Sequence, residues 1–279
     1  MKNILVPTDY SETARNAYWY ARELAFYFEA NLSVMHVYHP SFDPASPYAA
    51  MTPDYQEENH RQLLQSFIED YQSSDMGDVV ATTMVSPELR LGFAAEEIVA
   101  ASKKESLDLI VMGTTGQGGF LEKLFGRVSL QVSREAHCPV LLVPNGYKFG
   151  DLDHIVYASN YESADSAILR EIVAFADKFS AAIHLVHVNE SHKKGDYKLE
   201  ELLLEQLFTK NGLSLEFSLE TVQAETAWAG LKQYIEEHEV DLLVVATKHR
   251  KLWDRLTHKS MTKRMLEGVQ VPILVMPIL

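Results

Sequence analysis

The chain has 279 residues, 47% of them hydrophobic and 23% charged, a balance that excludes disordered, fibrous and collagen-like classes and leaves ample material for a core. The formal net charge of −14 argues against general affinity for nucleic acid or an anionic membrane, because polyanions are repelled at long range. Length alone leaves open two ordinary domains or one large α/β barrel.

In chain order, the first half opens on a short apolar strand, Asn3–Pro7. A helical stripe follows, with Ala14, Ala17, Tyr18, Ala21, Leu24, Ala25 and Phe28 at spacings of three and four, the signature of one buried face. Leu32–Tyr38 is the second expected strand, and Tyr38 to Pro53 is rich in Pro, Ser and Ala. Further strands are expected at Val79–Val85, Leu107–Met112 and Val140–Val143. Their continuous apolar character suits a parallel sheet covered on both faces. Glu96 and Glu97 follow Gly92 and read as a solvated first turn of a helix. Pro144 to Gly150 supplies Pro, Asn-Gly and Gly, which is linker chemistry.

Beyond that linker the sequence repeats itself. The opening NILVPTDYS returns as HIVYASNYE at an offset of 151, matching Ile4 to Ile155, Tyr10 to Tyr161, and His36-Val37 to His187-Val188. Asp108 to Pro144 returns without a gap as Asp241 to Pro277, at an offset of 133. The 18-residue difference between the offsets falls on Tyr38 to Pro53, which the second half replaces with a shorter connection through Asn189 to Gly195. The helical stripe recurs as Ala164, Ile168, Ile172, Phe175, Ala176 and Phe179. Five strands with intervening helices in each half imply an α/β fold of two tandem doubly wound five-stranded parallel-sheet domains. Their ligand is expected outside the carboxyl ends of the strands, where strand order reverses. The domains are expected at 1–145 and 152–279, with 146–151 as linker.

The chemistry concentrates at Gly113-Thr-Thr-Gly116-Gln-Gly-Gly119 and the helical Gly126-Arg127-Val128-Ser129. A glycine-rich turn from strand to helix lets backbone N–H groups approach an anion, and the helix N-terminus adds partial positive charge. Two common phosphate motifs fail. Walker A needs a lysine after its last glycine, and the chain has Gly118-Gly119-Phe120. The dinucleotide pattern from Gly116 and Gly118 meets Leu121, and it belongs on a first strand, not a fourth.

What fits is G-x2-G-x9-G, here Gly113, Gly116 and Gly126. With Val6-Pro7-Thr8-Asp9 on the first strand and the closing CPVLLVP strand, this resembles the universal stress protein family in its ATP-binding form. The resemblance covers essentially the whole chain as two copies. It implies Rossmann-like domains of the adenine nucleotide alpha hydrolase type, paired through Val140–Val143 and Ile273–Met276 as an intramolecular pseudo-dimer. It also implies one ATP or AMP in the first domain, with Mg2+ accompanying a triphosphate, and a stress-response regulatory role. Carried over by position, Pro7, Thr8 and Asp9 lie at the adenosine end, Asp9 as a ribose-hydroxyl acceptor, and Val37 offers backbone to adenine. Met112, Gly113, Thr115, Gly116, Gly126, Arg127, Val128 and Ser129 line the phosphates. The family usually has Ser or Thr directly after the third glycine, where this chain has Arg127. Arg127 is either a bidentate phosphate ligand or an outward-pointing side chain that leaves fewer donors.

The second copy loses these features: Gly113, Gly116 and Gly126 become Ala246, His249 and Lys259, and Asp9 becomes Asn160. ATP binding in the family manner is not expected there. Lys248 to Arg264 instead carries seven Lys/Arg against Asp254 alone, read as a solvated face or as a docking patch for an acidic protein partner. His36 with His39, and His184 with His187, are three apart on strands and so face opposite ways, which excludes chelation of one metal by either pair. Cys138, the one cysteine, reads as a packed thiol, and no Cys-His constellation accompanies it. No apolar run approaches the roughly 20 residues of a membrane span, and a cytoplasmic location follows as the expectation, with a second chain as a further partner in a homodimer. Two other functions stay open: an ATP-consuming enzyme with slow hydrolysis, although an SGGxDS loop is absent, and a nucleotide-free interaction scaffold.

Overall fold

A computed structural model describes residues 1–39, 53–70, 84–104, 106–114, 126–159, 165–190, 216–248 and 270–278. They fall in two compact units, Met1–Phe149 and Gly150–Leu279. Unit 1 contains strands β1 (Asn3–Thr8), β2 (Asn31–Tyr38), β3 (Val85–Leu91), β4 (Leu109–Gly113) and β5 (Val140–Val143). Its helices are α1 (Glu12–Phe28), α2 (Pro53–Glu69), α3 (Ala94–Lys104) and α4 (Arg127–Glu135). The strands are parallel in the order β3-β2-β1-β4-β5. Unit 2 contains β6 (His154–Ser159), α5 (Asp165–Ala176), β7 (Ala182–Glu190), β8 (Phe217–Ala224), α6 (Ala227–Glu237), β9 (Leu242–Lys248) and β10 (Ile273–Ile278). Its parallel order is β8-β7-β6-β9-β10. In both units the first strand is central, and the chain moves outward to one side before crossing to the other. Among the described residues no helix is long and apolar enough to cross a membrane.

The helical stripe forms the expected buried face. Ala17, Tyr18, Ala21 and Leu24 of α1 are fully buried, as are Ile172 and Ala176 of α5. Ser11 starts α1, its Oγ accepting the Ala14 N–H at 3.1 Å, which satisfies one of the donors a helix leaves unpaired at its start. The helix ends at Glu29 in the left-handed region, φ 50°. Ser180, 151 residues later, repeats that conformation with φ 56°, so both copies end the helix through a left-handed non-glycine residue.

The duplication extends to individual hydrogen bonds. Asp108 Oδ2 accepts the N–H groups of Lys2 and Asn3 at 2.5 and 2.9 Å, and Asp241 Oδ2 accepts those of Asp153 and His154 at 2.9 and 2.8 Å. Each aspartate fastens the start of its unit's first strand to the start of the fourth. The Asn31 N–H donates to Lys2 O at 2.7 Å, and the Ala182 N–H to Asp153 O at 2.7 Å.

One strand differs from its expected position. The partner of β2 is Val85–Leu91, not Val79–Val85, most of which lies outside the described residues. This strand carries Ser86, Pro87, Glu88 and Arg90 and is largely exposed or half-buried, so a search for continuous apolar character passes over it. Its only described strand partner is β2, and an edge position tolerates Pro87, which has no N–H to contribute to a ladder. Glu97 also departs from the solvated reading, because it is half-buried beside Arg90, whose guanidinium also pairs with Glu88. The shortened connection beyond Glu190 and residues 249–269 lie outside the described residues.

Candidate functional site

In unit 1 the direction of strand order reverses between β1 and β4, which are paired with Leu5 opposite Ile110. Their carboxyl ends, Thr8 and Gly113, therefore stand at the same level of the sheet, the usual ligand position of a doubly wound fold.

The turn after β1 is built from three successive side-chain bonds to backbone. Thr8 Oγ1 accepts the Tyr10 N–H at 3.0 Å, Asp9 Oδ1 accepts the Ser11 N–H at 3.0 Å, and Ser11 Oγ then starts α1. Thr8 is buried, whereas the Asp9 carboxylate is exposed at the strand end. Tyr10 has φ 65°, an uncommon conformation for a bulky residue. Its ring lies 4.3 Å from the His36 ring and 5.7 Å from Phe67, and its hydroxyl donates to His60 O at 3.4 Å. Burial pushes the Tyr10 phenol upward, so it stays a neutral donor. His36 Nδ1 is 2.9 Å from Thr8 O; a carbonyl only accepts, so this nitrogen carries the proton. Burial lowers the His36 pKa, favouring neutral imidazole.

The opposite wall is the end of β4 and the start of α4. The Thr114 N–H donates to Val143 O at 3.1 Å, and the Gly126 N–H donates to Thr114 O at 2.9 Å. The second bond ties the start of α4 to the end of β4. Gly126 is the N-cap of α4 and has no side chain to cap the helix, so the positive end of the helix dipole is left to backbone N–H groups. Arg127 is exposed in the first turn, Val128 is half-buried, and Ser129 is buried. The Ser129 hydroxyl donates to Gly126 O at 3.0 Å. Its proton therefore braces the start of α4.

Gly113 has a packing reason beyond ligand approach. A Cβ there would stand 2.6 Å from Thr13 Cγ2 and 2.7 Å from Thr13 O, because the first turn of α1 crosses the end of β4. Met112 and Pro7 are buried strand residues, and Val37 is half-buried on β2 opposite Arg90. Thr115 and Gly116 lie outside the described residues. The structure thus brings Pro7, Thr8, Asp9, Val37, Met112, Gly113, Gly126, Arg127, Val128 and Ser129 to the carboxyl ends of β1, β2 and β4 and to the start of α4.

Tyr10 and His60 were not legible as contributors to this site, although the recurrence of Tyr10 as Tyr161 was a signal. His36 and His187 act as anchors: His187 Nδ1 lies 2.9 Å from Ser159 O, repeating the His36 contact at the equivalent positions. Cys138 is buried, and its thiol is pushed up to about 12, first by burial and then by the Asp108 charge, which leaves it a poor nucleophile at neutral pH. Among the described residues no group of three or more His, Cys, Asp or Glu could hold a metal ion. A cleft of about 460 Å³ between α1 and α2 adjoins the Tyr10 ring, lined by Tyr10, Arg15, Leu63, Phe67 and Asp70 among others.

The profile of the universal stress protein family matches residues 1–144 and 152–277. A universal stress protein of Methanocaldococcus jannaschii is 32% identical over 148 residues, covering 51% of this chain and 81% of the relative. One from Synechocystis is 21% identical over 289 residues, covering 98% of this chain and 99% of the relative. The crystal structure of a universal stress protein from Archaeoglobus fulgidus superposes with a TM-score of 0.74 at 17% identity, covering 99% of this chain and 98% of that one; at that identity the likeness concerns the fold.

Proposed function

The chain belongs to the universal stress protein family, and from that premise we propose that unit 1 is an adenine-nucleotide-binding regulatory module with one ATP or AMP per chain. The observation that carries this reading is the bond from the Gly126 N–H to Thr114 O at 2.9 Å, which ties the end of β4 to a helix start without a side-chain cap. Phosphate would take backbone N–H groups of Arg127, Val128 and Ser129, together with those of Thr115 and Gly116. Asp9, exposed beside the end of β1, would accept from ribose hydroxyls, and the backbone of Val37 would meet the base. Mg2+ would accompany a triphosphate through its phosphate oxygens.

The test is mass spectrometry of small molecules released on denaturing the purified protein, combined with melting curves in ATP, ADP and AMP. An adenine nucleotide in the released fraction, or a raised melting temperature, is expected. Ligand at a hundredfold excess over Kd stabilises by about 2.7 kcal/mol. Asp9→Ala should remove most of that shift. No nucleotide in the released fraction together with no shift for any of the three overturns the proposal.

A further inference from the structure

Unit 2 contains a chain of polar side chains for which unit 1 has no counterpart. His154 Nδ1 lies 3.2 Å from His184 Nε2, and His184 Nδ1 lies 2.8 Å from Ser218 Oγ. Ser218 Oγ donates to Glu220 Oε1 at 3.1 Å, and the Tyr234 hydroxyl donates to the same oxygen at 2.7 Å. The residues come from β6, β7, β8 and α6. In unit 1 the equivalent positions hold Asn3, Ser33, Ser86 and Glu88, the last paired with Arg90.

With the Ser218–Glu220 contact as a hydrogen bond, donor and acceptor rules order the protons along this chain. A carboxylate only accepts, so the single proton of Ser218 goes to Glu220. The serine oxygen can then only accept from His184, which places a proton on His184 Nδ1. Neutral His184 has a bare Nε2, so His154 must supply the proton from Nδ1. The imidazole centroids are 5.4 Å apart for nitrogens 3.2 Å apart, so the rings lie nearly end to end along the contact, as in a hydrogen bond. A shared metal ion would require the two nitrogens to converge on a point off that line.

A first proton fits on His154 Nε2, on the far side of its ring, with the bond intact. A second can go only to His184 Nε2, where it would face the His154 Nδ1–H. We propose that the His154–His184 pair is an acid-operated latch of unit 2, which accepts one proton with its bond intact and opens when the second arrives. Opening loosens the corner where β6, β7, β8 and α6 meet.

The surroundings support the order. The charges that face His184 are His154 from β6, Glu216 and Glu220 at and before β8, and His238 beyond α6; Asp241, ahead of β9, holds the His154 backbone. Burial first, then the neighbouring His154, lower the His184 pKa, against the opposing pull of Glu220 and Glu216. An imidazole with a lowered folded-state pKa contributes stability that is present above its unfolded value of about 6.5 and is lost as pH falls through the folded value.

The test uses the full chain and the unit 1 residues as replacements. Nitrogen NMR at pH about 8 should find both His154 and His184 protonated on Nδ1. Amide exchange at Ala182–Leu185 and Phe217–Glu220, corrected for its intrinsic pH dependence, should accelerate about tenfold on acidification below the unfolded imidazole value of about 6.5, the effect of losing one hydrogen bond. The double variant His154→Asn, His184→Ser should fold, because unit 1 accommodates Asn3 and Ser33, and should lose that acceleration. A His184 protonated on Nε2 at neutral pH overturns the proposal. So does an acid response of these amides that is the same in wild type and double variant.

Discussion

The two units share their architecture to the level of single hydrogen bonds and differ where a ligand would sit. Asp108 and Asp241 each fasten the start of a first strand. His36 and His187 each bond the carbonyl that ends it, and Glu29 and Ser180 each take the left-handed conformation after the first helix. These features survive in the copy that lost its glycines, so they serve the fold. Gly113, Gly126 and the Asp9 carboxylate belong to unit 1 alone, and the proposed nucleotide site is built on them. His36 illustrates the value of the second copy: beside the Asp9 turn it looks functional, yet His187 makes the same bond where Asp9 has become Asn160.

The largest expected effects test the shared core. Leu24→Ala in unit 1 should cost about 2–5 kcal/mol, and its counterpart Phe175→Ala in unit 2 about 3–5 kcal/mol, measured by denaturant unfolding. Amide exchange should locate each loss in its own unit; a loss spread equally over both would break the comparison.

Gly113→Ala comes next, at about 1–3 kcal/mol of overpacking, because its Cβ meets Thr13 backbone and not only a side chain. Unit 2 carries alanine here as Ala246, and the residue matching Thr13 is Ala164, a paired change to a larger residue at one position and a smaller one at the other. Adding Thr13→Ala should recover part of the loss in a melting curve and none of the nucleotide-induced shift. Full recovery of both would assign Gly113 to packing alone.

Asp108→Ala and Asp241→Ala should each cost about 1–2 kcal/mol, since each removes a charged acceptor from two backbone donors near solvent. Equal losses by chemical denaturation sharpen the equivalence of the two clamps. A clearly larger loss for one would show that its unit depends more on this fastening. The smallest effect is Ser11→Ala, about 1 kcal/mol from removing an N-cap, with faster exchange confined to the first turn of α1 and no change in unit 2.

The fold was legible because both of its signals are local. Apolar runs marked the buried strands, and three-four spacing marked α1 and α5; the repeat then multiplied the evidence. Val85–Leu91 escaped because an edge strand needs apolar residues on neither face throughout. Pro7, Thr8, Asp9 and the Gly113 to Ser129 region could be nominated from glycine spacing and resemblance. Spacing could not tell that the Ser129 hydroxyl turns inward to Gly126 O, or that Gly113 is also required by the closeness of Thr13.

By itself the sequence determined the duplication, the α/β class and the copy in which glycines remain, because each is written in patterns within a few dozen residues. Tertiary structure alone decided which polar groups meet. The Tyr10–His36 stack depends on the pairing of β1 with β2, and the chain from His154 to Tyr234 depends on strands and a helix up to 80 residues apart. Such contacts follow from register and packing across the sheet, and no local periodicity encodes them.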